Sequence, residues 1–317
     1  MKIDKSAIQA AVRTAHSDFR SDQGGQNASY IPYLASVDPA LYGISVVTAD
    51  GEVFETGDSN FEFALESISK VFSMARAMDE VGLPQFHEKV GADPTGEPFN
   101  SVIAVALHDD KPLSPLVNAG AMSTVSLIPA DGPEQRWQKI LETQSAFAGR
   151  EIKLSDAVND SEQSTNFHNR AIAWLLYSGG TMYSDPMEAC DVYTRQCSTL
   201  VTAVDLATMG ATIAARGTNP LTKKAAITHT DIVPPMLAEM TMEGLYTASG
   251  DWAYRVGLPG KSGVGGGVLA VMPGVLAIAA FSPPLDPAGN SVRARKAVAQ
   301  IASALSLNLY NASDYAT

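Results

Sequence analysis

Residues 63–82 read FALESISKVFSMARAMDEVG and mark the change from a β-rich stretch of the chain to a long helical one. At about 100° per residue, the apolar side chains recur on one face of a helix that begins at Ser67. This spacing predicts an amphipathic helix. Its apolar stripe consists of Val71, Met74, Met78 and Val81. Its opposite face, which we expect to meet solvent, carries Ser69, Ser73, Arg76 and Glu80.

Lys70 does not belong to the polar face of this helix. It lies about 60° from Ser67 on the apolar side, one turn further along. Burial would lower the pKa of Lys70, and the neutral amine could then take a proton from the Ser67 hydroxyl. The S-x-x-K string therefore fits a nucleophile and its base. It also fits an ordinary helix whose lysine extends to water, so the string alone leaves both interpretations open.

The composition is that of a globular protein with one or two sizeable cores. The chain has 317 residues, of which 45% are hydrophobic and 18% charged. Its formal charge is −12, and no basic run is interleaved with aromatic residues, so neither nucleic acid nor an anionic membrane is an expected partner. The N-terminus lacks the apolar core of a secretory signal, and no apolar run approaches bilayer length. We expect a soluble cytoplasmic protein.

The cysteines and histidines give no support to metal chemistry. Cys190 and Cys197 are too few for a disulfide framework, and the five histidines show no metal-binding spacing. We interpret both cysteines as buried free thiols. We expect no metal and no cofactor.

The order of elements predicts an α+β fold with one antiparallel sheet built from both ends of the chain. Asp50-Gly51 joins two β-rich runs, and Pro273-Gly274 joins two more near the other end. A helix at each terminus would flank this sheet. Residues 1–66 and 220–317 would form the sheet domain and residues 67–219 a mostly helical domain, with the site at the seam between them.

The glycine-rich string KSGVGGG does not fit a dinucleotide loop, because Val268 takes the last glycine position of that motif and a strand follows. We interpret it as an edge strand whose missing side chains let a ligand approach the backbone. Lys261-Ser262-Gly263 resembles the K-[ST]-G element that accompanies S-x-x-K in serine acyl-transfer enzymes. The Val264 N–H could face the Ser67 N–H and complete an oxyanion hole. The Lys261 ammonium would lower the pKa of Lys70 by repulsion.

Several strings together resemble the serine-dependent glutaminases, which share the β-lactamase/transpeptidase-like fold. The resemblance extends from Tyr30 to the VRARK segment, over most of the chain. The strings that carry it are YIPYLA, YGISVVTADGEVFETGD, ESISKVF, LVNAGAM, NRAIAWLL, QCS and VGLPGKSGVGGG. The chain departs from the family pattern before the N-R-A string and at Glu243-Gly244-Leu245, both beside expected substrate contacts.

The resemblance implies a role for each residue of the site. Ser67 is the nucleophile, Lys70 activates it, and Tyr193 relays the proton. The remaining positions bind the substrate or complete the pocket: Tyr30 at the mouth, Asn118, Glu162 and Asn169 at the amino-acid end of glutamine, Tyr246 on the pocket wall, and Val264 through its N–H. Glu162 would bind the substrate ammonium, and the amides and tyrosine hydroxyls its carboxylate.

The implied function is hydrolysis of L-glutamine to L-glutamate and ammonia through an acyl-enzyme on Ser67, with no cofactor. Self-association as a homodimer or homotetramer is expected from the same resemblance. Two other functions remain open from the residues alone. One is a β-lactam or peptide acyl transferase of the same fold, and the other is an amino-acid-binding module without turnover.

Overall fold

In the computed structural model, which describes residues 3–108 and 110–311, the β-branched and apolar runs at both ends of the chain form strands. Within these residues the strands are β1 (Gly43–Thr48), β2 (Val53–Gly57), β3 (Phe63–Ala64), β4 (Lys153–Leu154), β5 (Thr199–Val201), β6 (Gly260–Ser262), β7 (Gly267–Met272) and β8 (Leu276–Phe281).

The rest of the regular structure in the described part of the chain is helical. Short 3-10 helices cover Glu66–Ser69, Thr230–Ile232 and Tyr246–Ala248. The α-helices are α1 (Lys5–Phe19), α2 (Pro32–Ala35), α3 (Lys70–Val81), α4 (Leu83–Lys89), α5 (Val102–Ala106), α6 (Asn118–Leu127), α7 (Pro133–Ala148), α8 (Asp156–Thr165), α9 (Phe167–Ser178), α10 (Pro186–Cys197), α11 (Ala203–Ala214), α12 (Val233–Met242), α13 (Ser249–Arg255) and α14 (Val292–Ala304).

The main sheet joins the two ends of the chain, as the sequence predicts. Its strand order is β2-β1-β8-β7-β6, and each neighbouring pair is antiparallel. The two hairpins meet where β1 pairs with β8, in a register that places Thr48 opposite Leu276. A smaller sheet of β3, β5 and β4 lies where the chain enters the helical region. The α+β class predicted from the order of elements is confirmed.

The two faces of the main sheet belong to two different cores, because successive side chains of a strand point to opposite faces. On one face, Ile44 and Ile278 pack beneath the terminal helices α1 and α14. On the other, Val47 and Phe281 belong to the larger core of the helical region. Helix α11 contacts β1 and β8 directly. A Cβ at its Gly210 would lie 2.7 Å from the Cβ of Ala277, so only glycine permits this approach.

Helix α3 lies at the centre of the helical region, and the solvated face predicted for it is wrong in part. Ser69 and Ser73 are fully buried, because α3 packs against α4, α6, α7 and α12 and has neighbours on nearly every side. Arg76 and Glu80 remain partly exposed and form an ion pair with each other.

The predicted division into residues 1–66 with 220–317 and residues 67–219 stays a prediction. Helix α11 of the middle segment packs on the sheet, and α12 of the last segment packs on α3. Across residues 3–108 and 110–311, none of the helices has the length and apolar character needed to cross a membrane.

Candidate active site

The nucleophile candidate Ser67 lies in the 3-10 helix that links β3 to α3. The chain is fixed just before it, because the Leu65 N–H donates to the carbonyl oxygen of Thr199 in β5 at 2.9 Å. Glu66 has φ 51°, a left-handed conformation that costs free energy in a residue other than glycine. Ser67 is 6% exposed and lines a cavity. Its hydroxyl is therefore held on a turn at the edge of the helical region.

Lys70 is fully buried and reaches this hydroxyl. Its Nζ donates to Ser67 Oγ at 3.1 Å and to Asn118 Oδ1 at 2.6 Å. Burial lowers the pKa of Lys70 to about 8, against the opposing influence of Cys197, Glu66 and nearby carboxylates. A substantial fraction of the amine is therefore neutral in weakly alkaline solution and able to accept a proton.

The second buried lysine, Lys261, supports a different part of the site. Its Nζ donates to the carbonyl oxygens of Gly244 and Ser262 at 3.0 and 2.7 Å, and it lies 4.1 Å from the centroid of the Tyr246 ring. Burial first, and then repulsion by Lys70, lowers the pKa of Lys261. The expected repulsion between the two ammonium groups is present, and burial is the larger cause of the lowered pKa at both lysines.

Two tyrosine rings, those of Tyr193 and Tyr246, lie close to the Lys70 amine. Tyr193 donates to Asn118 Oδ1 at 3.1 Å, the oxygen that also accepts from Lys70. Tyr246 donates to the Ser262 carbonyl oxygen at 3.3 Å, and its ring centroid lies 6.0 Å from Lys70 Nζ. Burial raises the pKa of both tyrosines. The proton-relay role expected of Tyr193 and the pocket-wall position expected of Tyr246 stay predictions.

The turn after β6 approaches the nucleophile segment so closely that it requires glycine. A Cβ at Gly265 would lie 2.2 Å from the Ala64 carbonyl oxygen, and one at Gly263 would lie 2.9 Å from that of Leu65. Strand β6 is an edge strand, as predicted. The expectation that the missing side chains admit a ligand is wrong at these glycines, because the chain before Ser67 fills that space.

A small cavity of about 60 Å³ lies in front of Ser67. Most of the predicted site residues line it: Tyr30, Ser67, Asn118, Glu162, Asn169, Tyr193 and Val264. Lys70, Lys261, Ser262 and Gly263 lie behind this wall, where Ser262 Oγ donates to Asn290 Oδ1 at 2.6 Å. Residues of the lining that the sequence analysis did not assign are Ile31, Glu66, Phe99, Thr194 and Cys197.

Glu162 and Asn169 reach the same cavity from two consecutive helices. The helix breaks at Asn166, between α8 and α9, at the cap residues that the sequence indicated. Asn169 Oδ1 accepts from Asn118 Nδ2 at 2.9 Å. Because Asn118 Oδ1 accepts from Lys70, the Asn118 amide joins the lysine to the far wall of the pocket.

A loop over residues 91–101 contributes Phe99 to the cavity lining and is held at Phe99 and Thr95. The Asn118 N–H donates to the Phe99 carbonyl oxygen at 2.8 Å, and the Phe99 ring lies 4.7 Å from that of Tyr246. The Thr95 N–H donates to Glu243 Oε2 at 2.7 Å. Glu243, one of the positions where the chain departs from its family pattern, therefore holds a pocket loop.

In the described part of the chain, the cysteines are free and no cluster of metal-ligating side chains is found. Cys190 and Cys197 are buried free thiols, as predicted, and burial raises the pKa of each to about 12. Within residues 3–108 and 110–311, no three side chains of His, Cys, Asp or Glu are grouped as a metal ion requires.

The fold and the Ser67–Lys70 pair define a protein of the β-lactamase-like class. Residues 25–310 match the family model for glutaminase, and the chain belongs to that family. It is 66% identical over 310 residues to a glutaminase of Brucella suis biovar 1 (strain 1330). The aligned residues cover 98% of each chain.

Solved structures agree with this assignment. The structure of probable glutaminase ybaS superimposes with a TM-score of 0.96 at 62% identity, covering 98% of this chain and 100% of that one. The structure of Mglu in its glutamate form has a TM-score of 0.91 at 33% identity, covering 96% of this chain and 70% of that one. The β-lactamase-like fold predicted from the sequence is confirmed.

Proposed function

We propose that this protein hydrolyses L-glutamine to L-glutamate and ammonia through a covalent acyl-enzyme on Ser67. The observation that carries the proposal is the buried amine of Lys70, 3.1 Å from Ser67 Oγ and of lowered pKa. The family match and the structure of Mglu in its glutamate form support the choice of substrate.

In the first half of the reaction, Ser67 Oγ attacks the side-chain carboxamide carbon of glutamine. The serine proton passes to the neutral amine of Lys70, directly or through the hydroxyl of Tyr193, which shares the Asn118 Oδ1 acceptor with Lys70. The carbonyl oxygen becomes an oxyanion and accepts from the backbone N–H groups of Ser67 and Val264. Collapse of this intermediate breaks the C–N bond, and the leaving nitrogen takes the proton and departs as ammonia.

In the second half, a water molecule attacks the ester carbonyl of the acyl-enzyme. Lys70 is neutral again, because it has given its proton to the leaving nitrogen. Its amine now accepts a proton from the attacking water. The ester bond breaks, Ser67 Oγ regains a proton, and glutamate is released. All proton transfers use groups of the chain, so the reaction requires no cofactor.

The polar wall opposite Ser67 suits the amino-acid end of the substrate. Glu162 supplies negative charge for the ammonium group. Asn118 and Asn169, with the hydroxyls of Tyr30 and Tyr193, supply neutral donors for the carboxylate. The substrate is thereby oriented with its carboxamide toward Ser67.

We also infer that the protein works in the cytoplasm as a homodimer or homotetramer. The location rests on the globular composition, and the oligomeric state rests on the family resemblance alone. Sedimentation of the purified protein measures the oligomeric state, and a monomer at all concentrations would contradict the inference.

The proposal is tested by a coupled glutamate assay on purified protein with L-glutamine, L-asparagine and D-glutamine in parallel. We expect glutamate and ammonia in equal amounts from L-glutamine. Labelling by a fluorescent β-lactam, with no release of ammonia from L-glutamine, would favour the acyl transferase of the same fold instead. Calorimetric binding of glutamine without turnover would indicate a binding module.

A further inference from the structure

Two glutamate side chains, Glu66 and Glu162, line the candidate active site together. Glu66 immediately precedes Ser67 and is 3% exposed, and Glu162 comes from α8. Their carboxyl groups lie within hydrogen-bonding reach of each other. Two ionised carboxylates repel strongly at such a separation, and a proton held between them removes the repulsion.

The Glu66 side chain has little freedom to move away from Glu162. Its backbone is held at φ 51°. A Cβ at Gly263 would lie 3.3 Å from Glu66 Cβ, and one at Gly265 would lie 3.2 Å from its Cγ, so the turn after β6 closes the space on that side. Glu66 Oε1 is buried and, among the described residues, has no hydrogen-bond partner. A buried oxygen in this state costs free energy until a ligand donates to it.

The other titratable groups around Glu66 do not neutralise a second negative charge. Lys70 attracts both carboxylates, but its hydrogen bonds go to Ser67 and Asn118. The remaining neighbours are uncharged in neutral solution. They are Cys197 and Tyr193 on α10, Tyr30 before α2 and Tyr246 on its 3-10 helix. Burial and the Glu162 charge raise the pKa of Glu66, and burial raises that of Glu162.

We propose that Glu66 and Glu162 share one proton and act as a single monoanionic acceptor for the substrate ammonium group, with the proton on Glu66. This proposal rests on the proposed function, since it names how that site recognises its substrate. One negative charge matches one ammonium, and the free oxygen of Glu66 accepts one of its N–H groups. Glu66 is then a binding residue that acts as a neutral acid.

The test compares neutral isosteres of the two acids in a Ser67→Ala background, where glutamine binds without turnover. Glu66→Gln keeps the neutral form of Glu66, so we expect its Kd for L-glutamine, measured by calorimetry, to stay within about threefold of the parent. Glu162→Gln removes the charge and should weaken binding at least about tenfold. The exposed Glu88→Gln is the control. Equal weakening by both active-site variants would overturn the proposal.

An infrared difference spectrum tests the proton itself without any substrate. Wild type minus Glu66→Gln at neutral pH should show the carbonyl band of a protonated carboxyl group, and its absence would overturn the shared proton. If the parent binds no glutamine at all, the proposed function fails, and this spectrum still decides the protonation of Glu66.

Discussion

Lys70 has an environment that suits catalysis and opposes stability. The side chain is fully buried, and its ammonium faces the rings of Phe99, Tyr193 and Tyr246 at 5.7 to 6.0 Å from their centroids. These rings and two hydrogen bonds offset only part of the lost hydration, because the pKa still falls to about 8.

Replacing Lys70 by methionine should therefore stabilise the protein while abolishing turnover. Below the folded-state pKa of about 8, wild type holds a buried charge that the unfolded chain holds in water. We expect Lys70→Met to raise the free energy of unfolding by about 1 to 3 kcal/mol at pH 7. The lysine binds fewer protons folded than unfolded between about 8 and the ordinary 10.5, so this gain should shrink as pH rises through that range. Urea unfolding at several pH values measures it, and a less stable variant would contradict the account.

The same pKa sets the expected pH dependence of turnover. In the proposed mechanism the neutral amine is the base, so kcat should rise with pH and level off above about 8. Lys70→Arg keeps a positive charge that does not dissociate in this range, and it should be inactive at every pH. Initial rates in one buffer system at constant ionic strength test this, and a rate that falls from pH 6 to 8 would contradict the assignment of the base.

For individual residues, the sequence predicts a contact when the two partners are close in the chain. Ser67 and Lys70 are one turn apart, so their contact follows from helical geometry. The contact of Glu66 with Glu162 depends on how α8 packs, which no local spacing encodes. The contact of Tyr193 with Asn118 has the same origin, because the two side chains come from distant elements.

At the level of secondary structure, the turn between β6 and β7 packs tightly against the backbone just before Ser67. We expect Gly265→Ala to lower kcat by about tenfold or more and to cost about 1 to 3 kcal/mol of stability, since its Cβ would meet the Ala64 carbonyl oxygen at 2.2 Å. Gly250, on α13, has no atom within 4 Å of its Cβ position and serves as the matched control. Gly250→Ala should be neutral or slightly stabilising. A fully active Gly265→Ala would show that Ser67 does not depend on this turn.

The elements themselves were largely predictable, and their packing was not. The hairpin at Asp50-Gly51 and the helix break at Asn166 have local signals, a turn dipeptide and a cluster of cap residues. The burial of Ser69 and Ser73 has none, because small polar side chains fit both a solvated face and a crowded helix interface. Periodicity therefore locates α3 but does not show that neighbours surround it.

For the whole molecule, both cores depend on one sheet. The strands that carry Ile44 and Ile278 on one face carry Val47 and Phe281 on the other. Strands β1 and β8, which lie far apart in the chain, pair over their full length. The order of strand, helix and strand segments made this closure predictable, whereas the packing of α11 on the sheet required the structure.

We accordingly predict a single cooperative unfolding transition. Urea curves followed by tryptophan fluorescence and by far-UV circular dichroism should coincide, because neither core retains its sheet when the other is lost. Two separated transitions would contradict this prediction and would favour independent domains.

The central claim is that Ser67 Oγ is the nucleophile, and ammonia release from L-glutamine by Ser67→Ala tests it most directly. Ser69→Ala is the matched control, since Ser69 is a buried serine in the same 3-10 helix whose hydroxyl contacts Cys197 Sγ at 3.6 Å. We predict that Ser67→Ala loses at least about 10⁴-fold in kcat while Ser69→Ala stays within about threefold of wild type. Turnover by Ser67→Ala close to that of wild type would contradict the claim.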